Sequence, residues 1–126
     1  LPNLTVYENI LVAQSLVQEE DSDAILALLD RVGLMEYKDY YPNELSGGMQ
    51  QRVSIARALI NNPEVIFADE PTGNLDQKRG KEIMDLLKKI SLENRVTIVM
   101  VTHNDDYKQY CSKIIQLVDG EIIDEA

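Results

Sequence analysis

The sequence predicts an α/β protein with an all-helical front half and a strand–helix–strand back half. Two observations carry this. Up to about residue 62 the apolar residues recur at helical spacing between polar breaks. From Glu64 onward two short runs, Val65 to Ala68 and Val96 to Val101, are apolar without alternation. Unbroken runs of that kind mark strands buried on both faces.

Each element follows from local chemistry. Thr5-Val6-Tyr7-Glu8 is a capping box that opens a first helix, whose apolar face continues through Ile10, Leu11 and Val17 to about Glu19. Glu20-Asp21-Ser22-Asp23 is a polar break in which Ser22 or Asp23 caps a second helix. That helix buries Ile25, Leu28, Leu29 and Val32, and Gly33 gives it a left-handed stop. Leu34 to Leu45, with Tyr37, Tyr40, Tyr41 and Pro42, reads as an irregular connection. A third helix runs from Ser46 to Ile60 and is closed by Asn61-Asn62-Pro63. After the first strand, a helix from about Gln77 to Leu92 carries Ile83, Leu86, Leu87 and Ile90 on one side. The second strand leads directly into His103, and a short helix spans Asp105 to Tyr110. Lys113 to Val118, the turn Asp119-Gly120 and Glu121 to Ile123 make a final strand pair.

Bulk properties narrow the function classes. A chain of 126 residues is one domain or a large piece of one, able to bury roughly two-thirds of its unfolded surface. The net charge of −10 argues against nucleic acid as a main partner, since phosphate backbones need clustered Lys and Arg. It leaves a nucleotide open, because a nucleotide is held by a few local donors. The single cysteine, Cys111, forms no internal disulfide, which fits a reducing compartment. No apolar run approaches the roughly 20 residues of a membrane span, and no signal peptide is visible.

The chemistry sits in three places. Ser46 as N-cap leaves the amides of Gly47, Gly48 and Met49 pointing along the helix axis, and two glycines let a phosphate approach them closely. A plain capped helix is the blander reading of the same residues. Asp69 and Glu70 end the first apolar strand, where open α/β sheets place their chemistry. An aspartate there suits Mg²⁺ held partly through water, and a glutamate one residue on suits polarisation of an attacking water. Two solvated carboxylates at a strand end are the alternative. His103, the only histidine, reaches the same sheet edge as Glu70 if the two strands are parallel neighbours, although a lone histidine is commonly structural. Asp76, in Gly73-Asn74-Leu75-Asp76, also reads as the cap of the helix that begins at Gln77. A phosphate cradle of the form G-x-x-x-x-G-K-S/T occurs nowhere: the only Gly-Lys pair, Gly80-Lys81, has Leu75 in place of the first glycine and Glu82 after it.

Together these parts resemble the nucleotide-binding subunits of ABC transporters. Leu45-Ser46-Gly47-Gly48 is similar to the family signature, Val65 to Glu70 to the Walker B strand, Gly73 to Asp76 to the D-loop and His103 to the switch histidine. The resemblance implies a P-loop NTPase (RecA-like) core lacking its Walker A half, spanning 63–126, joined to an ABC-specific α-helical subdomain spanning 1–62. It implies ATP and Mg²⁺ as cofactors, with Asp69 on the metal and Glu70 as catalytic base beside His103. Ser46, Gly47, Gly48, Gln50 and Asp76 would face nucleotide. The signature would act in trans on the nucleotide of a second ATPase subunit, and closure would drive a membrane-spanning permease from the cytoplasmic face of the membrane. Ala68 to Asp76 is most similar to the branch of lipoprotein-release, macrolide-export and antimicrobial-peptide transporters. Met49 stands where the signature usually has glutamine, which leaves the backbone anion site unchanged. The adenine-stacking loop, Walker A loop and Q-loop of the family would all precede Leu1. A chain without them is expected to be a fragment that is inactive by itself and prone to self-associate through exposed strand edges. A non-transport ABC ATPase and a non-catalytic binding fragment are the rival readings.

Overall fold

A computed structural model describes residues 1–118 and 120–125; Asp119, of the expected Asp119-Gly120 turn, lies outside the described residues. Three helices form the front: α1 (Val6–Ser15), α2 (Ser22–Arg31) and α3 (Gly47–Leu59). Behind them come β1 (Val65–Asp69), α4 (Gln77–Asn94), β2 (Thr97–Val101), a 3-10 helix at Asp105–Tyr110, and the strands β3 (Ile115–Val118) and β4 (Glu121–Glu125).

The start of α1 forms as the sequence predicts. The Glu8 amide donates to Thr5 Oγ1 at 3.2 Å and the Thr5 amide to Glu8 Oε1 at 2.9 Å. Its end differs: α1 stops at Ser15 rather than near Glu19, and Val17, expected on the apolar face, is 72% exposed. The cause is the fully buried Gln14. Its side-chain amide donates to Asp21 O at 3.2 Å and its oxygen accepts from the Asp21 N–H at 3.0 Å, which pulls the chain back on itself. Asp21, not Ser22 or Asp23, caps α2 by accepting from the Ala24 amide at 3.1 Å. Gly33 takes a left-handed φ of +78°, and Leu34 N–H donates back to Leu29 O. The 34–45 connection holds two single 3-10 turns, Met35–Tyr37 and Pro42–Glu44.

Strands β1 and β2 pair in parallel from Val65↔Thr97 to Asp69↔Val101, while β3 and β4 form a separate antiparallel pair with a register irregularity between Gln116 and Leu117. One hydrophobic core runs from α1 through α2 and α3 to α4; Ile66, Ile98 and Met100 lie against it from one face of the β1–β2 sheet. The other face carries Val65, Phe67, Val99 and Val101, all exposed, with Phe67 at 80%. The expectation that these strands are buried on both faces is therefore corrected: burial alternates along each strand, because helices pack on one side only. No helix among the described residues is long and apolar enough to cross a membrane.

Ile90 is completely buried on the inner face of α4, in its C-terminal half. Ile90→Ala is expected to lower unfolding free energy by about 2–5 kcal/mol, through lost transfer energy and the residual cavity. Urea unfolding followed by circular dichroism measures the change.

Candidate active site

The parallel register brings both strand ends to one edge, so Glu70 and His103 leave the sheet side by side. The Glu70 amide extends the ladder by donating to Val101 O at 2.7 Å. Its carboxylate is held from the neighbouring strand. Oε1 accepts from the His103 backbone N–H at 2.8 Å, and Oε2 accepts from the Thr102 hydroxyl at 3.4 Å. His103 Nε2 stands 3.6 Å from Glu70 Oε1 and its ring is 96% exposed. Thr102 is a site residue that motif reading missed; the signal for it was a hydroxyl placed directly before the only histidine. Its oxygen also accepts from the Asn104 N–H at 3.0 Å, which orders the backbone on both sides of His103. Glu70 itself adopts a left-handed φ of +45°. From it the chain turns tightly, with Gly73 N–H donating to Glu70 O at 3.0 Å and Leu75 N–H to Thr72 O at 3.0 Å.

Asp69 projects from the opposite face of β1 and is exposed. Its carboxylate makes no hydrogen bond or ion pair among the described residues. No cluster of three or more His, Cys, Asp or Glu side chains capable of holding a metal occurs among them either. A single free carboxylate suits an ion that keeps most of its water, as Mg²⁺ does, and does not suit an all-protein cage.

Ser46 caps α3 with its hydroxyl accepting from the Met49 amide at 3.3 Å. One part of the sequence reading is thereby corrected: the Met49 N–H is taken, leaving the amides of Gly47 and Gly48 as the donors with no partner among the described residues. Gln50 turns its side-chain amide onto Pro42 O at 2.8 Å and Leu45 O at 3.3 Å, bracing the loop that leads into the helix. From behind, the first glycine is closely approached and the second only touched. A Cβ on Gly47 would stand 3.2 Å from Leu75 Cδ2, and one on Gly48 would touch Arg79 at 3.8 Å.

Two open clefts share Glu70. The larger, about 1180 Å³, includes Glu70, Asp76 and His103 in its lining; the smaller, about 280 Å³, brings Glu70 together with Gly47 and Gln50. Ser46, Gly48 and Asp69 line neither. Asp76 serves as the cap of α4, accepting from the Arg79 amide at 2.8 Å and from the Arg79 guanidinium at 2.9 Å.

The fold is that of the P-loop NTPase cassettes among the solved structures, with a sheet-edge carboxylate oriented from the next strand beside a capped glycine turn. Comparison with known proteins gives the family. The model of the ABC transporter family matches residues 1–73, and the chain belongs to the ATP-binding domains of that family. An uncharacterized ABC transporter ATP-binding protein of Methanocaldococcus jannaschii is 49% identical over 127 residues, covering 98% of this chain and 56% of that protein. The ABC transporter ATP-binding protein YtrE of Bacillus subtilis is 45% identical, covering 95% of this chain and 53% of its own. LolD 1, the ATP-binding protein of a lipoprotein-releasing system in Rhodopseudomonas palustris, is 42% identical, covering 94% and 54%. Among solved structures, the dimeric ABC transporter cassette MJ0796 superposes with a TM-score of 0.84 at 41% identity, over all of this chain and 57% of that one. The chain thus spans about half the length of most of the relatives it matches.

The Arg79 backbone N–H, and secondarily its guanidinium, hold the Asp76 carboxyl below the usual carboxylate range. A depressed folded-state pKa contributes stability above the unfolded-state value, and that contribution is lost as pH falls through the folded value. The Asp76 carboxyl followed by NMR is therefore expected to titrate below the usual aspartate range, and Arg79→Ala to move its midpoint only part of the way back, because the backbone donor remains.

Proposed function

We propose that this chain is the helical subdomain (1–62) and the C-terminal part of the catalytic core (63–126) of an ABC transporter subunit that hydrolyses ATP to ADP and phosphate. The observation that carries the reading is the Glu70 carboxylate, fixed by the His103 amide and Thr102 hydroxyl at the edge of a cleft that also holds Gly47. Phosphoryl transfer depends mostly on positioning and charge stabilisation, so a carboxylate whose orientation is set by its neighbours is suited to be the base.

In this reading Glu70 accepts the proton of a water attacking the terminal phosphorus as the bond to the ADP leaving oxygen breaks. Oε1 already accepts one hydrogen bond from backbone, so the carboxylate does not rotate away while it takes the proton. His103, its ring almost wholly in solvent, faces the terminal phosphate and holds the water. Asp69 would hold Mg²⁺, which supplies charge neutralisation on the phosphate oxygens. The free amides of Gly47 and Gly48 at the start of α3 form an anion site for the nucleotide of a second subunit, with Ser46 as the cap that keeps them aligned. Gln50 acts by bracing that turn, and Asp76 by fixing the start of α4.

The solved cassette MJ0796 is a dimer, and one of its states holds ADP and Pi. By analogy this chain works in a pair of subunits on the cytoplasmic face of a membrane, driving a permease. Relatives named for lipoprotein release and macrolide export favour a transporter of that branch.

The chain by itself is expected to show no magnesium-dependent ATP turnover, since it contains no G-x-x-x-x-G-K-S/T cradle for the β- and γ-phosphates. In the complete subunit, Glu70→Gln is expected to retain ATP binding, to lose hydrolysis by about 10²-fold or more, and to accumulate ATP-bound dimers. Phosphate release and size-exclusion chromatography read both effects, and hydrolysis at the normal rate by Glu70→Gln would remove Glu70 from the role of base.

The isolated chain also presents Val65, Phe67, Val99 and Val101 on an open sheet face. Such a face, next to unpaired strand edges, favours self-association. Light scattering across a dilution series is expected to show oligomers that Phe67→Asp shifts toward monomer.

A further inference from the structure

The His103 ring is 96% exposed, so its position depends on the backbone segment that carries it. The segment that carries it, Asn104 to Tyr110, is docked on α4 at two points. Tyr110 Oη bonds Asp85 at 3.1 Å and the Lys88 ammonium donates to Tyr110 O at 3.3 Å. The closer contact is at Gly80, buried inside α4. A Cβ built on Gly80 would stand 2.6 Å from Tyr107 Oη, a separation that real side chains do not tolerate. The same Cβ would stand 3.5 Å from Thr72 Cβ, in the turn that begins at Glu70. The notch left by one missing methyl group is therefore the place where the Glu70 turn and the His103 segment meet a common support.

Glycine inside an α-helix is less favourable than alanine, because it has more backbone freedom to lose on folding. Gly80 adopts no left-handed conformation that would demand glycine. What requires it is the close approach of Tyr107, and through Tyr107 the placement of the residues before it. Tyr107 N–H donates to Asn104 O at 3.2 Å, and Asn104 is the residue next to His103.

We propose that Gly80 and Tyr107 form a seat that positions His103 against Glu70, with Tyr107 as a positioning residue for hydrolysis. The inference rests on the assignment of Glu70 and His103 given above, and it adds the residues that keep them apart by the right distance. Filling the notch pushes the tyrosine outward and carries the His103 backbone with it. The bond from the His103 N–H to Glu70 Oε1 then lengthens, and Glu70 loses the contact that orients it.

Two measurements test this. In this chain, amide hydrogen exchange at His103 is expected to accelerate in Gly80→Ala and to return toward the native rate in the double variant Gly80→Ala/Tyr107→Phe, where the colliding oxygen is gone. In the complete subunit, Gly80→Ala is expected to lower kcat about tenfold or more with KM for ATP changed less than about twofold, and the double variant to recover most of kcat. A Gly80→Ala protein with native exchange at His103 and native kcat overturns the seat, as does a loss that Tyr107→Phe fails to rescue. Destabilisation of α4 alone would not be rescued by removing a hydroxyl. His103→Ala in the complete subunit separates the two ideas: undiminished hydrolysis there refutes the role of His103, while the exchange measurement still reports on the seat.

Discussion

The parallel pairing of β1 with β2 sets the position of every group to which chemistry is assigned. Because the rungs run in step from Val65↔Thr97 to Asp69↔Val101, both strands end at the same level, and residues 33 apart in sequence emerge as neighbours. The ladder continues one bond further through the Glu70 amide, which fixes the direction in which the chain leaves the sheet. A slip of one residue would exchange the faces of the strand, sending Ile66 to solvent and Phe67 into the core. The sheet edge is thus both the anchor of the hydrophobic core and the ruler for the site.

Around that edge the structure uses small residues to admit neighbours. Gly47 accommodates Leu75, Gly48 accommodates Arg79, and Gly80 accommodates Tyr107 and Thr72. At the start of α3 the 70–79 segment thus lies against the back of the glycine pair, closely enough at Gly47 to crowd a Cβ. Asp76 and Arg79 tie these together, since one aspartate caps α4 while its arginine partner lies against Gly48.

Much of this was legible in the sequence because it depends on short-range chemistry. The capping box at Thr5, the left-handed stop at Gly33, the cap at Asp76 and the apolar face of α4 are decided within a few residues. The family was legible through four motifs in order, and the match of its model over residues 1–73 agrees. What escaped depends on partners distant in space. Gln14 reads as a polar residue on an amphipathic helix, yet it is fully buried because both halves of its amide find the backbone of Asp21. The apolar run of β1 states what its side chains would prefer to touch, not whether anything covers both faces, and so Phe67 was misplaced. Thr102 carries no motif of its own; only the register shows that its hydroxyl meets Glu70.

The left-handed φ of +45° at Glu70 sets folding and chemistry against each other. For a residue with a Cβ that conformation costs about 1–2 kcal/mol, and glycine or asparagine would occupy it more comfortably. The native state enforces it through the bonds from Glu70 N–H to Val101 O and from Gly73 N–H to Glu70 O. Selection for thermal robustness alone would therefore drift away from glutamate here. On the proposed role of Glu70 as base, screens that rank variants of this domain by melting temperature would reward its loss, so stability and turnover have to be scored together at this position.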